Sequence, residues 1–224
     1  MSQTLIFSGG GAFTLDDARY EGKSFSPTRL ATGIAADDLD FQVSGNSVFI
    51  TDTSSRSVVQ YDLSTPWDIS TAASVKETTV SGGLSAQAAD GMVFGTSGLS
   101  FYVVSQGKAA RYALTSAWSV SGATLAESVN SLASVSAAAA IALSSDGLKM
   151  FVADRVGGAT VEEFALTSAF SISANSRLGS FDPATTDDIY GIDFSSDGKT
   201  MFLLDQGEAI RQHTLVSAWS LGGA

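Results

Sequence analysis

Few side chains in this sequence could perform acid–base or nucleophilic chemistry. His213 is the single histidine, and the absence of cysteine excludes a disulfide, a thiolate zinc site and a cysteine nucleophile. A catalytic histidine needs an orienting carboxylate and a nucleophile, and no G-x-S-x-G phrase is present. His213 also replaces an aromatic residue of the repeat described below. We therefore expect it to pack structurally, and we predict no catalytic residue and no enzymatic activity.

Carboxylates that recur at one position are the second candidate for chemistry. Asp52, Asp154 and Asp205 each follow a predicted strand, and Ser105 takes this position in the remaining repeat. Rotational repetition would bring them to one rim, where their oxygen atoms would suit Ca²⁺. Aspartate at such a position also caps the backbone of a turn, which is the favoured interpretation. No cofactor is predicted apart from this candidate Ca²⁺ site.

Recurring aromatic residues are the third candidate. Trp67, Trp118 and Trp219 share one position of the repeat, and Phe170 takes it in the remaining unit. Such rings could stack on the sugars of a glycan, or they could wedge neighbouring units together. Recurrence in every unit favours the wedge because all units share that contact, but glycan stacking stays open as an alternative.

These candidate residues all belong to a sequence repeat that occurs four times along the chain. The phrase Tyr-Asp-Leu-Ser-Thr-Pro-Trp-Asp-Ile-Ser begins at Tyr61, and related phrases begin at Tyr112, Phe164 and His213, at spacings of 51, 52 and 49 residues. A second phrase places a glycine four residues before an aromatic residue in every unit: Gly45 and Phe49, Gly98 and Tyr102, Gly147 and Phe151, Gly198 and Phe202. Asp-Gly or Ser-Gly between alternating apolar runs predicts a tight hairpin. Asp146 and Asp197 belong to these turns.

The pattern around each hairpin predicts an all-β fold. Apolar residues spaced by two, such as Leu39 and Phe41, come before the turn, and further apolar segments follow it. Four antiparallel strands in about fifty residues form the blade of a β-propeller. We predict a four-bladed β-propeller whose four-stranded blades span about residues 37–81, 90–131, 139–182 and 189–221.

The ends of the chain suggest how the ring closes. The last unit ends soon after its third strand, while an extra predicted strand, residues 18–26, precedes the first unit. That strand would complete blade four and leave no open edge. Residues 18–224 would then form one domain. The alternative is that two chains share their blades in a larger ring.

Residues 1–17 lie outside the repeats and are predicted to form an N-terminal arm. Leu5, Ile6, Phe7 and Phe13 flank a run of three glycines, and we expect these apolar residues to dock on a partner. The glycines do not indicate a phosphate loop, because neither a helix pattern nor a lysine follows them.

The net charge and hydropathy of the chain argue against two classes of partner, nucleic acids and membranes. The formal net charge is −11, so the molecule repels phosphate backbones and anionic lipid headgroups. Nucleic acid is therefore not expected as a partner. The first residues lack the features of a signal peptide and no run of eighteen apolar residues occurs, so neither export by that route nor membrane insertion is expected.

Two segments indicate a family. Ser144-Ser-Asp-Gly-Leu-Lys-Met-Phe-Val and Ser195-Ser-Asp-Gly-Lys-Thr-Met-Phe-Leu, each followed by the aromatic phrase, resemble the propeller-type repeat of bacteriophage structural proteins and some bacterial surface proteins. The resemblance covers about residues 18–221. Units one and two depart from it with Ser-Gly in place of Asp-Gly, and unit four departs with His213.

The resemblance implies a function without chemistry. We expect a structural or attachment protein of a bacteriophage virion, associated with decoration, tail or fibre, that acts as a rigid interaction platform. Its partners would be other virion proteins and further copies of itself, and it would assemble in the host cytoplasm. The alternative is a lectin-like propeller that binds surface glycans in adhesion.

Overall fold

The computed structural model describes residues 21–29, 32–155, 159–184, 188–206 and 209–222. Within these ranges the chain forms seventeen β-strands and one short 3-10 helix, Ile69–Thr71. The predicted all-β class is confirmed. The described part contains no helix with the length and hydropathy needed to cross a bilayer.

Four antiparallel sheets form the four blades of a propeller, as predicted. A two-stranded hairpin, β1 (Thr28–Arg29) and β2 (Thr32–Gly33), precedes them. Blade one contains β3 (Ala36–Phe41), β4 (Ser47–Asp52), β5 (Ser57–Leu63) and β6 (Ala72–Thr79). Blade two contains β7 (Gly91–Phe94), β8 (Ser100–Ser105), β9 (Lys108–Ala113) and β10 (Thr124–Val129). Blade three contains β11 (Ala138–Leu143), β12 (Lys149–Asp154), β13 (Thr160–Ser168) and β14 (Ser171–Phe181). Blade four contains β15 (Ile189–Phe194), β16 (Thr200–Asp205) and β17 (Ile210–Thr214).

The second strand is buried on both faces in blades one and two, because a neighbouring layer covers each face. All six residues of β4 are buried, and so are all six of β8. The outer strand β10 is largely exposed, which explains its more polar sequence. Burial on both faces is why Val, Ile, Phe and Tyr run almost without interruption through the second strands.

Successive blades pack through their first strands, which lie innermost. β3 packs on β7, β7 on β11, and β11 on β15. Within the described residues, no comparable packing joins β15 of blade four to β3 of blade one. The four blades therefore follow one another in chain order around the axis.

Part of the predicted closing strand lies outside the described residues. Residues 21–26 are described, they are not in a strand, and Phe25 packs edge-on against Tyr61 with ring centroids 4.8 Å apart. Phe181, at the end of the outer strand of blade three, packs edge-on against His213 of blade four at 5.0 Å. Tyr61 and His213 are equivalent positions of the repeat, so Phe25 lies against blade one as Phe181 lies against blade four. Phe25 therefore occupies the position that the end of a preceding blade's outer strand would take. Closure of blade four by this segment stays a prediction, as does the domain division at residue 18.

Candidate functional site

One end of the blades collects polar residues from every repeat. Each first strand begins where the second strand ends, since Ala36 pairs with Asp52, Ala138 with Asp154, and Ile189 with Asp205. In blade two the backbone N–H of Asp90 donates to the carbonyl of Val104 near the end of β8. We call this end of the propeller the rim.

Irregular pairing marks the rim in three blades. The ladder shifts register between Ala36 and Leu39 in blade one, between Ala138 and Ala140 in blade three, and between Ile189 and Gly191 in blade four. The shifts release Asp37, Ala139 and Tyr190 from regular pairing. Bulges of this kind re-aim side chains and are frequent beside active sites.

Four residues converge at the rim, and we call Asp37, Asp90, Arg155 and Tyr190 the rim site. The Oδ2 atom of Asp90 accepts a hydrogen bond from Ser105 Oγ at 2.8 Å and lies 3.3 Å from Arg155 Nη2. The guanidinium of Arg155 lies 5.6 Å from the centroid of the Tyr190 ring. Arg155 follows β12 of blade three, so it links blade two to blade four.

The pKa of Asp37 is shifted by its surroundings in the rim site. Burial raises the pKa of the Asp37 carboxyl above its ordinary value, and the negative charge of neighbouring Asp90 raises it further, while Arg155 opposes both effects. A carboxyl whose pKa is shifted toward neutrality can take up and release a proton during a reaction. Such paired carboxyl groups in different environments are typical of acid–base sites.

The three carboxylates predicted from the repeat also lie at the rim, but they bind local N–H groups. Asp52 accepts from the N–H groups of Ala35 and Ser54 at 3.1 and 3.0 Å. Asp154 accepts from those of Ser136 and Ala137 at 2.8 and 2.9 Å. Asp205 accepts from the N–H of Ala209 at 2.9 Å and from Arg211 Nε at 2.7 Å. These bonds correspond to turn capping, and no cluster of three metal-binding side chains occurs among the described residues.

His213 lies away from the rim. It pairs with Met201 toward the opposite end of β16, and its ring packs edge-on against Phe181. Burial lowers the pKa of His213, and the positive charge of Arg211 lowers it further. Its surroundings are those of a packing aromatic residue.

The three tryptophans have unequal environments. Trp118 packs on Phe94 of its own blade at a centroid distance of 5.0 Å and lies 6.4 Å from Phe49 of blade one, which itself contacts Phe94. Trp219 packs on Phe194 at 5.1 Å and lies 6.4 Å from Phe151 in the same way. Trp67 packs on Phe41 at 5.4 Å but is 44% exposed. Two of the three therefore occupy wedge positions; glycan stacking stays a prediction for all three.

The predicted arm residues Leu5, Ile6, Phe7 and Phe13 lie outside the described residues. The sequence analysis missed the rim site altogether, although a signal existed. Asp37, Asp90, Ala139 and Tyr190 each stand four residues before the last residue of the first strand of their blade. A position that carries a polar side chain in three of the four units indicates a shared location, but it does not indicate that Arg155 joins the group.

Comparison with known proteins gives a fold and no family. No family model matches the sequence, and no curated protein matches it. Among solved structures, a 6-phosphogluconolactonase candidate from Bacteroides uniformis matches with a TM-score of 0.56 and 14% identity, over 88% of this chain and 56% of that one. The periplasmic gluconolactonase of Pseudomonas aeruginosa matches with a TM-score of 0.54 and 15% identity, over 80% and 49%. A 6-phosphogluconolactonase candidate from Bacteroides fragilis matches with a TM-score of 0.55 and 12% identity, over 88% and 59%.

This chain spans about half the length of those proteins, and identities of 12–15% show similarity of fold alone. The neighbours nevertheless correct the functional prediction. A non-enzymatic virion or adhesion platform was expected, whereas the propellers that superpose on this chain are named as lactonases, which are enzymes. The prediction was wrong because the repeated phrases encode blade packing, which propellers of any function share.

Proposed function

We propose that the chain hydrolyses a small lactone or related ester at the rim site. The observation behind this proposal is the convergence of Asp37, Asp90, Arg155 and Tyr190, one from each blade, with a raised pKa at Asp37. The names of the solved neighbours supply the substrate class, since one is called a gluconolactonase and two are called 6-phosphogluconolactonase candidates.

In this mechanism Asp37 is the general base. Its ionised carboxylate takes a proton from a water molecule, whose oxygen attacks the carbonyl carbon of the lactone. A carboxylate with a raised pKa is a stronger base than an ordinary one, and Asp90 sustains that basicity through its negative charge. Asp37 then returns the proton to the ring oxygen as the carbon–oxygen bond breaks, which yields the hydroxy acid.

Arg155 and Tyr190 supply hydrogen-bond donors for the oxyanion of the tetrahedral intermediate. The ion pair with Asp90 and the contact with Tyr190 hold the guanidinium in a defined place, so little reorganisation is needed when negative charge develops. The same cation orients the acid of the product.

The experiment is hydrolysis of gluconolactone, followed by acid release at constant pH. We expect turnover by the wild-type protein and a loss of about 10²–10⁴-fold in kcat for Asp37→Asn, the usual contribution of a general base. Asp146→Asn is the matched control, because that carboxylate accepts hydrogen bonds from Ser144 Oγ and the N–H of Leu148 within its own turn. Equal rates for the wild type and Asp37→Asn, or no turnover at all, would contradict the proposal.

The finer identity of the repeat also stays an inference. We infer that the units are related to the propeller-type repeat of phage structural and bacterial surface proteins, which the Ser-Ser-Asp-Gly segments support. That relationship concerns the scaffold alone and is independent of the chemistry at the rim.

A further inference from the structure

An apolar cavity lies on blade one, on the face turned away from blade two. The Asp38 and Asp40 carboxylates of β3 accept from the N–H groups of Met92 and Phe94 in blade two, at 2.7 and 3.0 Å. Because side chains alternate along a strand, the intervening residue Leu39 lies on the other face. The cavity there has a volume of about 260 Å³. Its lining residues are Phe25, Pro27, Ala36, Asp38, Leu39, Phe41, Val48, Ile50 and Ile69. We call it the blade-one cavity.

The lining of the blade-one cavity offers little to a polar ligand. Asp38 is the one charged residue of the lining, and its carboxylate accepts from the N–H groups of Leu39 and Met92 at 2.8 and 2.7 Å. The carboxylate is thus turned to backbone groups, and the residue is 2% exposed. The other lining side chains are hydrocarbon. A polar group would lose its hydration there without replacement, whereas a hydrocarbon group would gain free energy from burial.

The volume of the cavity suits a short hydrocarbon chain. An apolar cavity of about 150 Å³ holds a benzene molecule. The blade-one cavity is larger, at about 260 Å³. By the same measure it has room for roughly five to seven carbon atoms in a chain.

One end of the cavity lies beside the proposed base. Asp37 stands between Ala36 and Asp38, which both line the cavity. The ladder shift between Ala36 and Leu39 frees Asp37 from regular pairing at this point. A molecule held at the rim site can therefore extend past Ala36 into the cavity.

Ile69 lines the opposite end of the cavity. It follows Trp67 by two positions, and the N–H of Trp67 donates to the carbonyl of Gly45 at 2.9 Å. Gly45 belongs to the turn between β3 and β4, which lies at the end of the blade away from the rim. The cavity therefore runs from the rim along β3 toward that turn, and Phe41 is the last residue of β3 in its lining.

The charges of the rim site disfavour a second anion. Asp37 and Asp90 are close enough that the negative charge of Asp90 acts on Asp37, and the cation Arg155 is already paired with Asp90 at 3.3 Å. A phosphate group would add about 1.5 to 2 negative charges beside these carboxyl groups. The whole molecule carries a net charge of −11, which repels an anionic substrate as well. A substrate without a charged substituent therefore meets less repulsion at the rim.

We propose that the substrate is an uncharged lactone with an apolar chain, whose ring lies at the rim site and whose chain fills the blade-one cavity. This inference rests on the proposed hydrolysis at the rim. The chain makes contacts that a polyhydroxylated lactone cannot make, and it orients the carbonyl carbon toward the water molecule activated by Asp37. Each methylene group that enters the cavity should raise kcat/KM about fourfold.

Kinetics with matched lactones measure the contribution of the chain. δ-Decalactone and δ-valerolactone have the same ring, and only δ-decalactone carries a pentyl chain. We expect kcat/KM for δ-decalactone to exceed that for δ-valerolactone by about 10²–10³-fold, and to exceed that for gluconolactone. Equal values for δ-decalactone and δ-valerolactone would overturn the inference, while the hydrolysis itself would still support the proposed function.

A substitution at the far end of the cavity tests where the chain lies. Ile69→Trp fills that end, so the ratio of kcat/KM for δ-decalactone to that for δ-valerolactone should fall about 10-fold, the equivalent of roughly two methylene groups. Leu178→Trp is the matched control, because it adds the same indole at a site that is 55% exposed on the outer strand of blade three. An unchanged ratio in Ile69→Trp, with circular dichroism melts that establish folding, would overturn the placement of the chain.

Binding of an inert analogue separates this inference from the proposed function. 2-Pentyltetrahydropyran has the ring and the chain but no carbonyl carbon for water to attack. Isothermal titration calorimetry should detect its binding to the wild type and to Leu178→Trp, and about 10-fold weaker binding to Ile69→Trp. Absence of binding to the wild type, or equal affinity for Ile69→Trp, would overturn the inference whether or not lactones are hydrolysed. Binding that depends on Ile69 without hydrolysis of any lactone would support the cavity as a site for an apolar chain and contradict the proposed hydrolysis.

Discussion

Arg155 of blade three lies 3.3 Å from Asp90 of blade two. The two residues are 65 positions apart in sequence, and their ion pair forms only because two blades share the rim. Arg155 thereby reaches both Asp90 and the ring of Tyr190, which belongs to blade four. This ion pair holds the guanidinium of Arg155 in place in a strongly acidic molecule.

The pH dependence of hydrolysis should report on Asp37. Activity should fall as the pH decreases through the raised pKa of Asp37, because only the ionised carboxylate is a base. In Asp90→Asn the neighbouring negative charge is lost and Arg155 is left to act on Asp37, so the acid limb of kcat against pH should move to lower pH. A profile identical to that of the wild type would show that Asp90 does not influence the base.

Replacement of Arg155 should lower kcat strongly while it changes the stability of the fold little. Arg155→Gln should lower kcat by about 10²–10³-fold, the usual effect of losing an oxyanion donor, while the melting temperature changes little. Arg155→Lys keeps the charge but loses the planar fork, and it should retain an intermediate rate. If both variants were fully active, the rim site would not stabilise an oxyanion.

The stability of the blades should depend on the tryptophans in the order of their burial. Trp118→Ala should destabilise the protein by about 3–5 kcal/mol, because it removes a ring that packs on Phe94 and approaches Phe49 of the neighbouring blade. Trp67→Ala should cost clearly less, since that ring is 44% exposed. Urea unfolding of both variants measures the difference, and equal losses would contradict the assignment of Trp118 as a wedge.

Gly98 packs directly against the indole ring of Trp118. Its φ is +66°, and a Cβ on Gly98 would lie 2.2 Å from Trp118 Nε1, so the indole occupies the space of the missing side chain. Gly98→Ala should therefore destabilise by more than the roughly 1–2 kcal/mol of a left-handed alanine alone. Gly179→Ala is the control, because a Cβ there meets no atom within 4 Å. Urea unfolding that showed similar losses for both would contradict this packing.

Asp40 should make folding stability depend on pH. Burial raises its pKa to about 6, although the N–H groups of Phe94 and Phe41 partly oppose this. The folded state then binds more protons than the unfolded state between about pH 4 and 6, so the contribution of this group to stability decreases as the pH rises. The decrease is about 3 kcal/mol at 1.36 kcal/mol per pKa unit.

The free energy of unfolding at pH 4 and pH 7, measured for the wild type and Asp40→Asn, tests this dependence. The variant should lack that part of the decrease, while Asp146→Asn should keep it. Titratable and charged groups elsewhere contribute equally to the wild type and both variants, so the difference isolates Asp40. An unchanged dependence in Asp40→Asn would contradict the prediction.

The sequence by itself determined the repeat, the strands and the turns. Glycines at Gly45, Gly98, Gly147 and Gly198 predicted the hairpins, and the structure gives each a positive φ. Residues spaced by two, such as Met92 and Phe94, predicted the first strands. These features are local, because side-chain alternation and turn geometry depend on neighbours within a few residues.

The partners of the recurring residues came only from the tertiary structure. Gly98 and Trp118 belong to two phrases that the sequence showed in one register, but the ring lies on the glycine only because the chain returns across the hairpin. Trp67 and Trp118 are equivalent in sequence yet differ in exposure, since blade one lies before Trp118 and no described blade packs before Trp67. Equivalence in a repeat does not specify what a neighbouring blade covers.

The complete rim site could not be predicted from the sequence, for a related reason. Asp37, Asp90 and Tyr190 share one position of the repeat, which is Ala139 in blade three, but Arg155 comes from another position. Bulges at Ala36, Ala138 and Ile189 release the rim residues from the ladder, and no local pattern encodes a bulge. The sequence thus determined the blades, whereas the approach of distant charges, on which the proposed chemistry depends, was decided by how the blades stack around the axis.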